Sequence, residues 1–276
     1  MKSNITTLLI AFITLCPFTD MIGQSNSFGT ITYAKAVNVS GKQRMLSQKM
    51  SKAYLLLAKG ISDESIKKEL NSSKFIFEKQ LQILTQNASS ASTKLSLKKV
   101  TKLWTDFKTV ITSPPDIQNS LRIVKSNTDL LKACNEVVIS IENSFNYNNQ
   151  FFQNKNEELV NIINKSGKQR MLSQRLCLYY TANTMFKGDS EDYKKILTKV
   201  YSEFDSAIGE LLISSHNTTE IEEELGSVMS YWEKFQMNQR GLFDGDFSLQ
   251  EMFTTTNQLT KSFNKITGLY EGVSKI

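Results

Sequence analysis

The residues best equipped for chemistry in this sequence are two arginines that stand in the same nine-residue setting. The segment 40–48, Ser-Gly-Lys-Gln-Arg-Met-Leu-Ser-Gln, recurs without change at 166–174. Such a long identity indicates an internal duplication. Each copy carries one arginine, Arg44 or Arg170, and a guanidinium is a rigid fork of N–H donors that matches the oxygens of carboxylates and other flat oxyanions. The repeat therefore predicts the binding of a small anion.

Groups suited to other chemistry are scarce. The chain has 276 residues with one histidine and three cysteines, which argues against a zinc site or a Cys/His nucleophile pair. No Gly-rich phosphate loop, serine elbow or paired-carboxylate arrangement occurs in the sequence. The 33 basic and 27 acidic residues give a net charge of +6 that is spread along the chain, without the basic clusters of nucleic-acid-binding proteins. We expect no enzymatic activity, no cofactor, no metal and no nucleic-acid partner.

Placed on a helix, the repeat presents two faces. Leu46, Met50 and Ala53 follow the spacing of an apolar stripe that packs into its own bundle. The other face is polar, and it is the part on which the two copies agree fully. This face holds Ser40, Arg44, Ser47 and Gln48 in the first copy and Ser166, Arg170, Ser173 and Gln174 in the second. The candidate ligand-binding residues are Gly41, Arg44, Ser47 and Gln48 with Gly167, Arg170, Ser173 and Gln174.

Two explanations of this polar face stay open. In the first, the copies face each other across a pseudo-two-fold axis, and Arg44 and Arg170 repel each other unless an anion lies between them. Gly41 and Gly167 would then let a backbone or a ligand approach closely. In the second, each copy is a packing device, and its arginine bonds loop carbonyls or helix ends of its own unit.

Helix-ending residues divide each half of the chain into four helices. The breaks fall at Gly60, 87–92 and Pro114–Pro115 in the first half, and at 188–190, 216–219 and 241–246 in the second. Thr219 and Ser248 are each followed three residues later by glutamate, the spacing of a capping box. Trp104 and Trp232 occupy equivalent places and are expected to anchor the two cores.

Short loops make neighbouring helices antiparallel, so we predict an all-α fold of two tandem up-down four-helix bundles. The first unit spans 24–150 and the second 151–276. The join contains no proline or glycine between 116 and 166, which favours one continuous long helix that links the units.

Residues 1–23 have the layout of a secretory signal peptide, with a basic start, an apolar run over 5–15 and small residues near the end. The apolar run is about half as long as a spanning helix. Cleavage near residue 23 is favoured over lipid attachment at Cys16, since the small residues expected before a lipidated cysteine are missing. The mature chain is therefore expected in the periplasm or outside the cell. Cys134 and Cys177 lie in apolar helical contexts, where free buried thiols are expected.

The segment Gly-Lys-Gln-Arg-Met-Leu-Ser-Gln resembles the motif of the NarX/PilJ-like sensor family, the type IV pili methyl-accepting chemotaxis transducer N-terminal domains. The resemblance covers roughly 30–150 and 155–275 and is specific in the first helix of each unit. It implies non-enzymatic helical bundles that sense outside the cytoplasmic membrane. In the nitrate-sensing branch this helix supplies an arginine that binds nitrate at a dimer axis. Carried over to this sequence, the resemblance implies that Arg44 and Arg170 are the binding arginines, with Gly41, Ser47, Gly167 and Ser173 near them.

Two functions follow from the sequence. The first is an exported sensor or binding module that holds a small anion, nitrate-like or a carboxylate, between its duplicated arginines. The second is an interaction protein that docks to a membrane receptor, an envelope protein or a pilus-like assembly without a small ligand. An aromatic cluster at the junction of the units either joins the two bundles or forms the docking patch; its members are Phe145, Tyr147, Phe151 and Phe152.

Overall fold

The computed structural model describes residues 27–61, 63–148 and 154–273, most of which are helical. The helices of the first unit are α1 (Tyr33–Ala58), α2 (Glu64–Asn87), α3 (Ala91–Ile111) and α4 (Ile117–Asn148). Gly60 follows α1 with a φ of 85°, a conformation that ends helices and suits glycine. The Asp63 carboxylate accepts from the Ser65 N–H (2.7 Å) at the start of α2. The breaks predicted in this unit are confirmed.

The second unit follows the same order with one addition. Its helices are α5 (Asn154–Met185), α6 (Ser190–Leu212), α7 (Thr219–Met237), α8 (Gln239–Asp244) and α9 (Leu249–Val273), with a 3₁₀ turn at Lys187–Asp189 before α6. The short helix α8 fills the break at 241–246. The cap of α7 is Thr218, one residue earlier than the capping box predicted, whereas the Ser248 hydroxyl caps α9 as expected and accepts from the Glu251 N–H (3.1 Å).

Each unit is a bundle of antiparallel helices around an aromatic core. Helix α1 packs against α2 and α4, and α5 packs in the same way against α6 and α9. Trp104 lies 4.5 Å from Phe77, ring centre to ring centre, and Trp232 lies 4.4 Å from Phe204. Both tryptophans are buried. The all-α fold of two tandem bundles and the role of the tryptophans are confirmed.

A short hairpin of β1 (Ser27–Phe28) and β2 (Ile31–Thr32) precedes α1. Gly29 turns it with a φ of 61°. The Thr30 N–H and hydroxyl both donate to Asn87 Oδ1, at 2.6 and 2.7 Å. The hairpin therefore fastens the start of α1 to the far end of α2.

Several expectations fall outside the described residues. They concern the signal peptide at 1–23 with Cys16, the continuous helix across 149–153, and the side chains of the aromatic cluster at 145–152. The outer limits of the two units therefore stay predictions. Cys134 and Cys177 are buried free thiols. In the described part of the chain, no helix combines the length and the apolar character needed to cross a bilayer.

Candidate functional site

The two helices that carry the repeat, α1 and α5, pack side by side. The Arg175 Nη1 donates to Gln48 Oε1 across this contact (2.9 Å), and Lys42 lies close enough to Arg170 to interact with its charge. The interaction of Lys42 with Arg170 is followed along α1 by that of Gln48 with Arg175, so the two helices run in the same direction. The two copies of the repeat therefore lie beside each other along this contact.

Arg44 folds back along α1 towards the last helix of its own unit. Its Nη1 donates to Asn135 Oδ1 on α4 (2.8 Å). The guanidinium passes over Gly41, where a Cβ atom would lie 3.6 Å from Nη2. The Nε–H of Arg44 is buried and has no hydrogen-bond partner in the described ranges 27–61, 63–148 and 154–273. One donor of this arginine is thus left without an acceptor, which in a folded protein calls for an explanation such as a missing ligand or water.

Arg170 takes the same pose in the second unit. Its Nη1 donates to Asn264 Oδ1 on α9 (3.2 Å), and the guanidinium passes over Gly167, where a Cβ atom would lie 3.2 Å from Nη2. Its Nε, however, donates to the Gly167 carbonyl (3.2 Å). The two arginines therefore bond within their own units. They differ at Nε, which has a hydrogen-bond partner among the described residues only in Arg170.

The pKa values show how these charges influence one another. Burial lowers the pKa of both guanidinium groups, and the pKa of Arg170 falls to about 10. The charge of Glu142 raises the pKa of Arg44, and the charge of Glu271 raises the pKa of Arg170. The charge of Arg44, in contrast, lowers the pKa of Arg170. The Lys42 pKa is lowered by burial and then by Arg170. Positive charge is thus gathered where water is partly excluded.

A cleft of about 730 Å³ lies between α4 of the first unit and α5 and α6 of the second. Arg44 reaches it from α1, whereas Arg170 does not line it. Two members of the second repeat to which sequence reasoning gave no role, Lys168 and Gln169, also line it. The other charged side chains of the walls are Glu142 on α4 and two ion pairs between α5 and α6, Lys165–Glu210 and Lys168–Glu203.

The comparison with known families rests on two separate segments of the chain. Residues 32–128 and 153–245 both match the PilJ family, described as the type IV pili methyl-accepting chemotaxis transducer N-terminal domain. The chain belongs to this family. Each match contains one copy of the repeat, so the PilJ domain occurs twice in tandem. PilJ domains are periplasmic sensor parts of transducers, and an extracytoplasmic location is compatible with that. No curated protein and no solved structure matches the chain.

Four candidate residues of the two PilJ repeats, Ser47, Gln48, Ser173 and Gln174, do not line the cleft. The Ser47 hydroxyl donates to the Arg44 carbonyl (2.8 Å), and the Ser173 hydroxyl donates to the Gln169 carbonyl (2.9 Å). Gln174 Nε2 donates to Thr260 Oγ1 (2.6 Å) and to Asn257 Oδ1 (3.0 Å). The serine bonds stay within their own helices, whereas the Gln174 bonds hold α5 to α9 and the Arg175–Gln48 bond joins the two units.

The PilJ repeat is followed on α1 by a buried lysine that sequence reasoning missed. Lys52 is 0% exposed and pairs with Glu69 on α2 (2.7 Å). Its Nζ also donates to Asn257 Oδ1 of the second unit (2.8 Å) and lies 4.6 Å from the centre of the Phe253 ring. The one clue in the sequence is a lysine at the position where the second copy has Leu178.

Proposed function

We propose that the protein is an extracytoplasmic binding module of sensor type that holds a small anion at Arg44. The observation that carries the proposal is the buried Nε–H of Arg44, which has no partner in the part of the chain that the structure describes and belongs to a side chain that lines the cleft. An anion in the cleft would supply the acceptor. A charge-assisted hydrogen bond of this kind is stronger than one between neutral groups.

The local balance of charge supports an anion. Lys42, Arg44 and Arg170 form a chain of interacting cations, which Glu142 and Glu271 compensate. Three positive charges stand against two negative ones in this cluster, whereas the walls of the cleft are balanced, with Arg44, Lys165 and Lys168 against Glu142, Glu203 and Glu210. Because burial already disfavours the charged forms of these side chains, a bound anion would stabilise the folded protein.

The proposal places the anion beside Arg44 and not midway between the two arginines. The Nε of Arg170 is occupied by the Gly167 carbonyl, and its side chain lies outside the cleft. In this proposal Arg170 contributes through its charge and through its bond to Asn264.

The test is thermal unfolding with nitrate, nitrite, acetate or malate at constant ionic strength, in the parent and in two matched variants, Arg44→Gln and Arg170→Gln. A ligand at about 100 times its Kd stabilises a protein by about 2.7 kcal/mol, which corresponds to a rise of roughly 5–10 °C in the midpoint for a chain of this size. We expect one of these anions to raise the midpoint of the parent and of Arg170→Gln. In Arg44→Gln the apparent affinity is expected to fall about 10- to 100-fold.

The proposal fails if none of the four anions moves the midpoint of the parent. An equal loss of binding in Arg44→Gln and Arg170→Gln would instead favour a site shared by both arginines.

Export is part of the same proposal, and it rests on the signal-peptide layout of 1–23 together with membership of the PilJ family. Mass spectrometry of the protein from the envelope of an expressing cell tests it. We expect a mature chain that begins near residue 24. A chain that begins at a lipid-modified Cys16 would show a lipoprotein instead.

A further inference from the structure

The cleft beside Arg44 also contains a buried acceptor without a partner. Gln169 on α5 is 1% exposed and lines the cleft. Its Nε2 donates to the Lys165 carbonyl (3.2 Å), which fixes the orientation of the amide and leaves Oε1 as the acceptor. That Oε1 has no hydrogen-bond partner among the described residues. In this part of the chain, one donor, the Nε–H of Arg44, and one acceptor, Oε1 of Gln169, are thus unpaired, and both belong to side chains that line the cleft.

A simple anion would satisfy one of these two atoms. Nitrate and acetate carry acceptors only, so they would pair with Arg44 and leave Gln169 Oε1 without a donor. Groups that take part in a buried polar site are normally all paired. The occupant that fits both atoms carries a negative acceptor at one end and an N–H donor at the other.

Glu142 adds a second acceptor to the same walls. Its carboxylate lines the cleft, accepts a hydrogen bond from the Asn164 side chain and interacts with the charge of Arg44. The lysines of the cleft are already paired with Glu203 and Glu210. A positively charged ligand group therefore has a carboxylate available on α4, on the same wall as the apolar residues Val138 and Ile139.

The corresponding side chains of the other unit, Arg170 and Gln43, do not line this cleft, and their hydrogen bonds differ. The Nε of Arg170 donates to Gly167. Gln43, the counterpart of Gln169, donates from Nε2 to the Phe77 carbonyl (2.8 Å). This difference makes the cleft beside Arg44 the site of interest, and it makes Gln43 and Arg170 controls of matched chemistry.

We infer that the cleft binds a small zwitterion of the α-amino acid class, with its carboxylate on Arg44 and its ammonium group facing Glu142 and Gln169 Oε1. The inference rests on the proposed function, since the same arginine holds the carboxylate. The aliphatic surface of Val138, Ile139 and Ala207 would contact an apolar side chain of the ligand.

The experiment compares amino acids with the same molecules lacking the ammonium group. Calorimetric titrations of the full mature chain use L-alanine against propionate and L-leucine against 4-methylpentanoate. We expect at least one amino acid to bind ten-fold or more tightly than its carboxylate counterpart. Glu142→Gln should weaken the amino acid ten-fold or more and leave the carboxylate unchanged or tighter, because the repulsion between two negative charges is gone.

A second pair of variants separates binding from folding. Gln169→Met removes the unpaired acceptor while it keeps the size of the side chain, and Gln43→Met makes the same change at the counterpart position. Gln169→Met should weaken the amino acid and leave propionate binding as it is, and Gln43→Met should change neither. Thermal unfolding of each variant shows that it is folded.

The outcomes distinguish this inference from the proposed function. If propionate and L-alanine bind with the same affinity and Glu142→Gln tightens the binding of both, the proposed anion site stands and the inference of a zwitterion is wrong. If amino acids bind but Arg44→Gln leaves their affinity unchanged, both are wrong. If neither class binds to the parent, the inference of a zwitterion is wrong, and the thermal unfolding with nitrate, nitrite, acetate and malate decides whether the anion site stands.

Discussion

At the scale of single residues, the two copies of the repeat show how one sequence acquires two environments. Arg44 and Arg170 donate to asparagines at corresponding positions, Asn135 and Asn264. They differ at Nε, which is unpaired in Arg44 and bonded to the Gly167 carbonyl in Arg170. The sequence predicted that these arginines matter, but identical segments carry no information about such a difference. The difference lies within the repeat helices themselves, since the acceptor of the Arg170 Nε is a carbonyl of its own helix.

The glycines of the repeat give a prediction at this scale. A glycine inside a helix is about 0.8–1 kcal/mol less favourable than alanine. A Cβ at Gly41 would sit 3.6 Å from the Arg44 guanidinium, an ordinary contact, whereas at Gly167 it would sit 3.2 Å from the Arg170 guanidinium and 3.9 Å from Thr267. We expect Gly41→Ala to raise the free energy of unfolding in urea by about 0.5–1 kcal/mol. Gly167→Ala should raise the free energy of unfolding by less, or lower it, because the Arg170 guanidinium must move.

If both substitutions raise the free energy of unfolding equally, the Arg170 guanidinium over Gly167 is free to shift. Loss of acetate binding in Gly41→Ala would show instead that this glycine leaves room for the ligand.

At the scale of the elements, most of the fold follows from local sequence. Gly60, Pro114–Pro115 and the caps of α2 and α9 stop or start helices by their own chemistry, so they were predictable. The hairpin before α1 was not, since its place depends on Asn87, far along the chain. For the polar face of the repeat the sequence left a ligand surface and a packing device open, and Arg44, Arg170, Gln48 and Gln174 make bonds to other helices. A helix buried on several sides needs partners for its polar groups, and those partners are unknown before packing is known.

Helix α1 also carries the buried lysine, and its ion pair predicts an asymmetry between two variants. Removal of Glu69 leaves Lys52 as a buried charge without its carboxylate, which typically costs about 3–5 kcal/mol. Removal of Lys52 leaves Glu69 with Lys49 (3.5 Å) and with the Asn257 amide (3.0 Å). We therefore expect Glu69→Ala to lower the free energy of unfolding in urea more than Lys52→Leu does. The second variant copies Leu178 of the other unit. The reverse order would show that the pair is not what stabilises this contact.

At the scale of the whole molecule, the contact between α1 and α5 joins two bundles into one body. Lys52 and Gln48 of the first unit bond to Asn257 and Arg175 of the second, and the cleft takes its walls from both units. The sequence left open whether the bundles lie side by side or end to end. Duplication gives each unit the same apolar stripe, but it does not specify which remaining faces meet.

Because this contact joins the two units, we expect a destabilising substitution in one unit to lower the thermal stability of the other. Phe77→Ala removes a fully buried ring that packs on Trp104, a change that costs about 3–5 kcal/mol. In a Trp104→Phe background, fluorescence reports Trp232 alone. We expect its thermal midpoint to fall by roughly 5–15 °C when Phe77→Ala is added. A midpoint that stays unchanged would show that the units unfold independently.

The central claim is that the Arg44 Nε–H binds an anion in the cleft. Its most direct test is the ¹H–¹⁵N spectrum of the arginine Nε–H groups during a titration with acetate or an amino acid, with Arg44→Lys and Arg170→Lys to assign the two resonances. We predict a saturable change in the Arg44 resonance at ligand concentrations that leave the Arg170 resonance nearly unchanged. An Arg44 resonance that does not respond, or two resonances that respond alike, would contradict the account.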